Sequence, residues 1–144
     1  MSVKIDHQAF EDHLVWAEGE ELQLYPDSEG ILTIGVGRNI QEKGISKTTS
    51  RQMLQEDIDE ALTDAGRLDF FAALDPVRQL VIADMVFNMG LPRVLRFKRM
   101  IAALKIGDYN LAAQEMTDSK WYRQVGRRAI KLVEAMKTGE WKHG

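Results

Sequence analysis

The stretch EGEELQLYPDSEGILTIGVG, residues 18–37, decides the fold of the N-terminal part of the chain. Residues 22–25 alternate apolar and polar side chains, as a short strand does. Residues 26–30 have the composition of a turn, and residues 31–34 supply an apolar return strand. The pattern therefore predicts a β-hairpin with Gly30 at or near its turn.

Two carboxylates and a hydroxyl lie around this hairpin, with the spacing Glu18-x8-Asp27-x5-Thr33. Cleavage of a glycosidic bond needs a proton donor for the leaving oxygen and a second group that activates water. Glu18 lies at the end of the predicted first helix, and the hairpin can bring Asp27 and Thr33 together, with Thr33 holding a water against Asp27. Taken singly, a glutamate at a helix end or an aspartate in a turn is more often a solvated side chain or a local cap.

Helical periodicity dominates the rest of the sequence. Residues 6–17 read as an amphipathic helix that ends near Gly19. Ser46 is the predicted N-cap of a long helix with one acidic face. Asp75 and Pro76 form a cap and first position for an apolar, central helix that Gly90 stops. Further helical patterns cover residues 94–106, 109–116 and 129–136.

These elements predict an α+β, predominantly helical chain of one domain, residues 1–144. We expect a small β lobe at about residues 18–45 and a joining helix at about residues 46–66. A larger helical lobe is expected to comprise residues 1–17 and 67–144.

Composition excludes several kinds of site. The chain has no cysteine, so it forms neither a disulfide nor a thiolate metal site. Its histidines have no ligand spacing, and we expect no metal and no cofactor. The first twenty residues contain neither a signal h-region nor an anchor, so we expect a cytoplasmic starting point and no stable membrane association.

Charge is distributed unevenly along the chain. Residues 93–131 contain ten Lys and Arg against three acids, whereas residues 1–92 contain seven basic and seventeen acidic residues. A basic surface of this kind attracts an anionic polymer such as cell wall or nucleic acid. The alternative is that these charges are ordinary solvated helix faces.

Several blocks resemble the bacteriophage lysozyme family, the endolysins of the T-even type, classed as family 24 glycoside hydrolases. They keep the family's order over nearly the whole chain: Glu18-Gly19, YPDSEG at 25–30, LTIGVG at 32–37, Leu74-Asp75, MVFNMG at 85–90, SKWY at 119–122, Arg128-Ala129 and TGEW at 138–141.

The resemblance implies a two-lobed lysozyme-like fold that cleaves the β-1,4 bond between N-acetylmuramic acid and N-acetylglucosamine. By analogy Glu18 is the general acid, and Asp27 and Thr33 position the attacking water with inversion at the anomeric carbon. An arginine is expected against Glu18; the match falls on Arg128, with its neighbour Arg127 as the second candidate. The implied partner is bacterial peptidoglycan and not nucleic acid. A monomer would wait in the host cytoplasm until a holin opens the membrane, and would then act on the wall.

Substrate contacts are expected at Phe87 and Asn39. Aromatic rings can stack on sugars, but buried rings are more often core, and Phe87 is the one we expect at the substrate. The other four candidates are expected in the core: Trp16, Trp121, Tyr122 and Trp141.

The chain departs from the family pattern at Arg38, where members usually carry a histidine. That histidine pairs with an aspartate early in the joining helix, and the matching residue here is Asp57. An arginine would preserve the ion pair but remove its pH sensitivity near neutrality.

Two other functions compete with hydrolysis. A lysozyme-fold module without activity could serve in wall binding, although the intact Glu18, Asp27 and Thr33 argue against it. A lytic transglycosylase uses one glutamate and makes an anhydro sugar, and the presence of Asp27 argues against that reading.

Overall fold

The structure, a computed structural model, describes residues 3–142. The chain divides into two compact units, Met1–Gln52 (unit 1) and Met53–Gly144 (unit 2). The boundary falls within helix α3, and helix α1 belongs to the same unit as the sheet. The sequence-based lobes, which assign residues 1–17 to the helical lobe, stay a prediction.

Unit 1 contains a three-stranded antiparallel sheet in the order β1-β2-β3. Helix α1 (His7–Glu18) is followed by β1 (Glu21–Pro26), β2 (Leu32–Gly35) and β3 (Arg38–Asn39). The short helix α2 (Ile40–Lys43) comes next, and α3 (Lys47–Ala65) begins in this unit. The predicted hairpin is β1 and β2, whereas β3 and α2 have too few residues for periodicity to predict them.

Local caps explain where the unit 1 helices begin. Asp6 caps α1 by accepting hydrogen bonds from the backbone N–H groups of Gln8 and Ala9. The Ser46 hydroxyl accepts from the Thr49 N–H at 3.1 Å, as the predicted cap of α3 should.

Unit 2 is helical. After α3 come a 3₁₀ turn (Phe71–Ala73), α4 (Pro76–Met89), α5 (Leu91–Val94), α6 (Lys98–Lys105), α7 (Tyr109–Thr117), α8 (Lys120–Val125) and α9 (Arg127–Thr138). Asp75 caps α4 with Pro76 in its first turn, and Gly90 ends it, as predicted. Helix α9 packs against α4, α7 and α8.

The core of unit 2 forms around α4, which buries Val81, Ile82, Met85 and Val86. Trp121 is buried as expected, and Tyr122 and Trp141 are partly buried against the same core. Trp16 was expected in a core and is 81% exposed, because α1 buries none of its residues. That expectation was wrong.

Arg78 links the start of α4 to the end of α9. Its guanidinium donates to the carbonyl oxygens of Met136 (2.7 Å) and Lys137 (3.2 Å) and pairs with Asp75 at 3.0 Å. It also lies 3.7 Å from the centroid of the Tyr109 ring. Burial alone would raise the pKa of Asp75, but the hydrogen bonds and charge of Arg78 outweigh it, so the pKa is lowered.

The α+β, predominantly helical class is confirmed by these elements. Within residues 3–142 no helix combines the length and the apolar character needed to cross a bilayer.

Candidate active site

Asp27 is fixed by the turn that it opens. Its Oδ1 accepts hydrogen bonds from the backbone N–H groups of Glu29 (2.8 Å) and Ile31 (2.9 Å). Its own backbone N–H donates to the Ile31 carbonyl at 2.9 Å. Within residues 3–142 no group donates to Oδ2 of this exposed carboxylate. One oxygen is therefore held by the fold, and the other can accept a proton or a water.

Thr33 lies on the central strand β2, paired with Tyr25 on one side and Asn39 on the other. Of the described residues it is the one buried polar residue, at 4% exposure. Its hydroxyl donates to the Ile31 carbonyl at 2.9 Å, and the lone pairs of the oxygen remain as acceptors. Asp27 and Thr33 are thus both hydrogen-bonded to the peptide groups of Ile31, and the predicted approach of their two side chains stays a prediction.

Glu18 is the last residue of α1, and its side chain lies over the backbone at Gly37. A Cβ placed on Gly37 would be 2.7 Å from Glu18 Oε2, closer than real Cβ atoms approach other atoms. Gly37 also has φ +61°, which L residues rarely adopt. The carboxylate can therefore take its position only because residue 37 has no side chain.

Gly35 provides an internal comparison for Gly37. It has a similar φ of +69°, yet a Cβ there would meet no atom within 4 Å. No role was assigned to Gly37 from the sequence. The glycines at positions 35 and 37 were visible there, but the partner that approaches Gly37 was not.

Arg38 and Asn39 both have partners within unit 1. Arg38 donates through Nε (3.0 Å) and Nη2 (2.8 Å) to the carbonyl of Gly44, which ends α2. Asn39 caps α2, since its Oδ1 accepts from the Glu42 N–H and its Nδ2 donates to the Glu42 carboxylate, each at 3.0 Å. These contacts give both residues a structural role, and the pairing of Arg38 with Asp57 and the substrate contact of Asn39 stay predictions.

Asp57 and Phe87 lie together in unit 2. They line an open depression of about 240 Å³ together with Glu60, Ala61, Asp64 and Val86. Phe87 is 42% exposed, so one face of its ring is available to a ligand. Its exposure suits the predicted contact with a sugar, which stays a prediction.

Arg128 is bound within unit 2 by Asp84. Its Nε and Nη2 both lie 2.8 Å from Asp84 Oδ1, and the pair joins α9 to α4. No local pattern indicates this partner, which is forty-four positions away in the sequence. The predicted position of Arg128 against Glu18 stays a prediction.

Comparison with known proteins finds a matching family model and several similar relatives. The model described as phage lysozyme matches residues 16–137. A probable T4-type lysozyme 1 from Dictyostelium discoideum is 27% identical over 161 residues, covering 91% of this chain and 95% of the relative. Probable T4-type lysozyme 2 from the same organism is 26% identical, covering 93% and 96%. The pre-baseplate central spike protein Gp5 of Enterobacteria phage T4 is 30% identical, covering 85% of this chain and 26% of that protein.

Proposed function

This chain belongs to the phage lysozyme family, and from that premise we propose that it hydrolyses the β-1,4 bond between N-acetylmuramic acid and N-acetylglucosamine. Family membership makes it a lysozyme-type peptidoglycan hydrolase. The choice of bond, the direction of attack and the role in host-cell lysis are the proposal.

The observation that carries the mechanism is the arrangement at Ile31. Asp27 is held through Oδ1 and keeps Oδ2 open, and the Thr33 hydroxyl is bound to the same residue. A water that donates one hydrogen to Asp27 Oδ2 and another to Thr33 Oγ1 would have its oxygen lone pair directed away from both. These turn hydrogen bonds support the proposed role of Asp27 as the base, because they hold its carboxylate without side-chain packing.

In the proposed reaction, Glu18 acts as the general acid and Asp27 as the general base. Glu18 protonates the glycosidic oxygen as the bond to the anomeric carbon breaks. Asp27 takes a proton from the water as its oxygen bonds to that carbon from the opposite face. The configuration inverts, the leaving sugar departs with a new hydroxyl, and the water supplies the other hydroxyl.

The remaining residues are proposed to serve this reaction indirectly. Phe87 stacks on a sugar ring and Asn39 contacts the substrate, while Arg128 sets the charge around Glu18. Arg38 and Asp57 pair to support the segment after the sheet. The protein acts as a monomer on the wall of the host, after a holin has released it from the cytoplasm.

The first experiment compares Glu18→Gln with Glu20→Gln in clearing of permeabilised bacteria. Glu20 is an exposed glutamate two positions away, so it is a matched control. Loss of the general acid should lower the rate about 10²–10⁴-fold, whereas Glu20→Gln should retain the wild-type rate. Near-normal lysis by Glu18→Gln would remove Glu18 from the mechanism.

The second experiment separates the base from the turn. Asp27→Asn keeps an oxygen acceptor for the Glu29 and Ile31 N–H groups, so the protein should stay folded while activity collapses. Full activity of this variant would exclude Asp27 as the base.

Analysis of fresh products decides the reaction type, because hydrolysis with inversion gives a reducing end of the α configuration. An anhydro end would identify a transglycosylase, and intact polymer with retained wall binding would identify a binding module.

A further inference from the structure

Unit 2 contains a second cavity that the proposed reaction does not use. It has a volume of about 890 Å³ and lies among α5, α6 and α8. Its lining includes the Phe97 and Trp121 rings, which meet edge to face with their centroids 6.2 Å apart. Its lining includes five cations against two acids, namely Arg93, Arg96, Lys98, Arg99 and Lys120 against Glu115 and Asp118.

All five cations are exposed, and no group among residues 3–142 accepts a hydrogen bond from their side chains. Within residues 3–142, the ion pairs of unit 2 involve Arg67, Arg78, Lys105 and Arg128, and none involves a cation of this cavity. Neither Glu115 nor Asp118 comes within ion-pair distance of them among the residues described. The excess positive charge is therefore not neutralised by the fold.

The position of two of these cations opposes the local electrostatics of their helix. Lys98 and Arg99 are the first two residues of α6, whose first turn contains no acid. The N-terminus of a helix carries partial positive charge, so cations there are unfavourable unless an anion lies nearby. An unfavourable placement of cations at a helix N-terminus is expected at a functional site, where a bound anionic ligand offsets the electrostatic cost.

The neutral polar groups of the cavity are largely committed to the fold. The Asn88 side-chain oxygen accepts the Trp121 indole N–H at 3.2 Å. The Ser119 hydroxyl donates to the Met116 carbonyl at 2.6 Å and accepts the Tyr122 N–H at 3.1 Å. A peptide ligand, with its many amide groups, would need such neutral partners, whereas a phosphate needs mainly cationic donors.

We propose that this cavity binds a phosphate-bearing polymer of the bacterial envelope, whose anionic phosphates lie among Arg93, Arg96, Lys98, Arg99 and Lys120. The site holds the protein on the wall between cleavage events and takes no part in bond breaking. The proposal rests on the proposed function only for its biological setting, since phosphate binding can be measured without hydrolysis.

A short glycerol-phosphate oligomer is the probe, and the Trp121 indole N–H is the reporter. In ¹H–¹⁵N spectra its resonance should shift and saturate as the oligomer is added, because Trp121 lines the cavity. The indole resonances of Trp16 and Trp141, which do not line it, should stay in place. An unchanged Trp121 resonance would overturn the proposal.

A matched pair of double variants tests the residues. Arg96→Gln with Lys98→Gln removes one Arg and one Lys from the cavity, and Arg123→Gln with Lys137→Gln removes the same charges from exposed positions outside it. Calorimetry at low salt should show a dissociation constant about tenfold higher for the cavity pair and within about twofold for the control pair. Equal weakening by both pairs would mean that only net charge matters, and would overturn the proposal.

The choice of ligand and its independence from hydrolysis are tested in the same assays. An oligoglutamate of equal charge should bind more weakly than the phosphate oligomer, and equal or tighter binding would overturn the assignment to phosphate. The cavity variant should cleave a short, phosphate-free glycan at the wild-type rate. If Glu18→Gln retained lysis while the oligomer still shifted Trp121, the proposed mechanism would fail and the phosphate site would stand.

Discussion

Residues 3–52 of unit 1 bury one side chain, Thr33, whereas residues 53–142 of unit 2 bury twenty-one apolar residues. Unit 2 is held by a core, in which α4 and α9 are central. Unit 1 positions its polar side chains through hydrogen bonds of turns and caps at Asp27, Asn39 and Ser46. The candidate catalytic groups Glu18, Asp27 and Thr33 therefore lie in the unit that buries fewer side chains, where backbone geometry positions them.

The largest expected effect is on stability, from truncation of the unit 2 core. Ile82 is fully buried, and Ile82→Ala should lower the free energy of unfolding by about 2–5 kcal/mol. Leu22→Ala in unit 1 should change it by less than about 0.5 kcal/mol, because Leu22 is 78% exposed. Urea unfolding measures the free energy of unfolding of both variants. Equal losses would show that unit 1 depends on side-chain packing as much as unit 2 does.

Removal of Arg78 should have the next largest effect. Arg78→Ala leaves the Met136 and Lys137 carbonyls without this donor and should cost about 1–3 kcal/mol in urea unfolding. Arg78→Lys retains the charge but cannot reproduce the planar fork, so it should recover part of the loss. Complete recovery by lysine would show that charge alone is needed.

The Asp75 carboxylate should make part of this stability depend on pH. Its pKa is lowered in the folded state, so its contribution is complete above the unfolded value of about 3.9 and is lost as pH falls through the folded value. Asp75→Asn should therefore differ from the wild type at neutral pH and converge with it in acid. A difference that stays constant across this range would exclude the linkage.

A comparison of Gly37→Ala with Gly35→Ala separates the effect of backbone strain from the effect of the contact with Glu18. Both positions have positive φ, and each substitution should cost about 1–2 kcal/mol of stability. Only the Gly37 variant displaces the Glu18 carboxylate, and a displacement of 1 Å can cost about 10²-fold in rate. Its kcat should fall well below that of Gly35→Ala, with KM little changed, and equal kcat values would show that Gly37 does not position Glu18.

The smallest effect is expected at Arg38, whose bonds to Gly44 are exposed. Arg38→Ala should cost about 0.5–1.5 kcal/mol in thermal melts. A double-mutant cycle with Asp57→Asn tests the predicted ion pair. Simple additivity of the two losses would assign the effect of Arg38 to the Gly44 carbonyl alone.

Sequence alone determined the features that depend on neighbours along the chain. The hairpin, the caps at Ser46 and Asp75 and the end of α4 at Gly90 followed from periodicity and turn chemistry. The burial of Trp121 followed from the general preference of aromatic rings for the core. Family resemblance added the expected roles of Glu18, Asp27 and Thr33. These signals act over a few residues, so they can be read without knowing how the elements pack.

The tertiary structure decided which distant groups meet. It paired Arg128 with Asp84, bound Arg78 to the end of α9 and placed Glu18 over Gly37. It also left Trp16 exposed and gathered around one cavity five cations that have no ion-pair partner among residues 3–142. Periodicity shows which face of a helix is apolar, but not which element covers that face or which charge lies opposite. Those outcomes depend on helix packing and on the close approach of backbone segments. Such contacts join residues far apart in the sequence, so local sequence patterns do not reveal them.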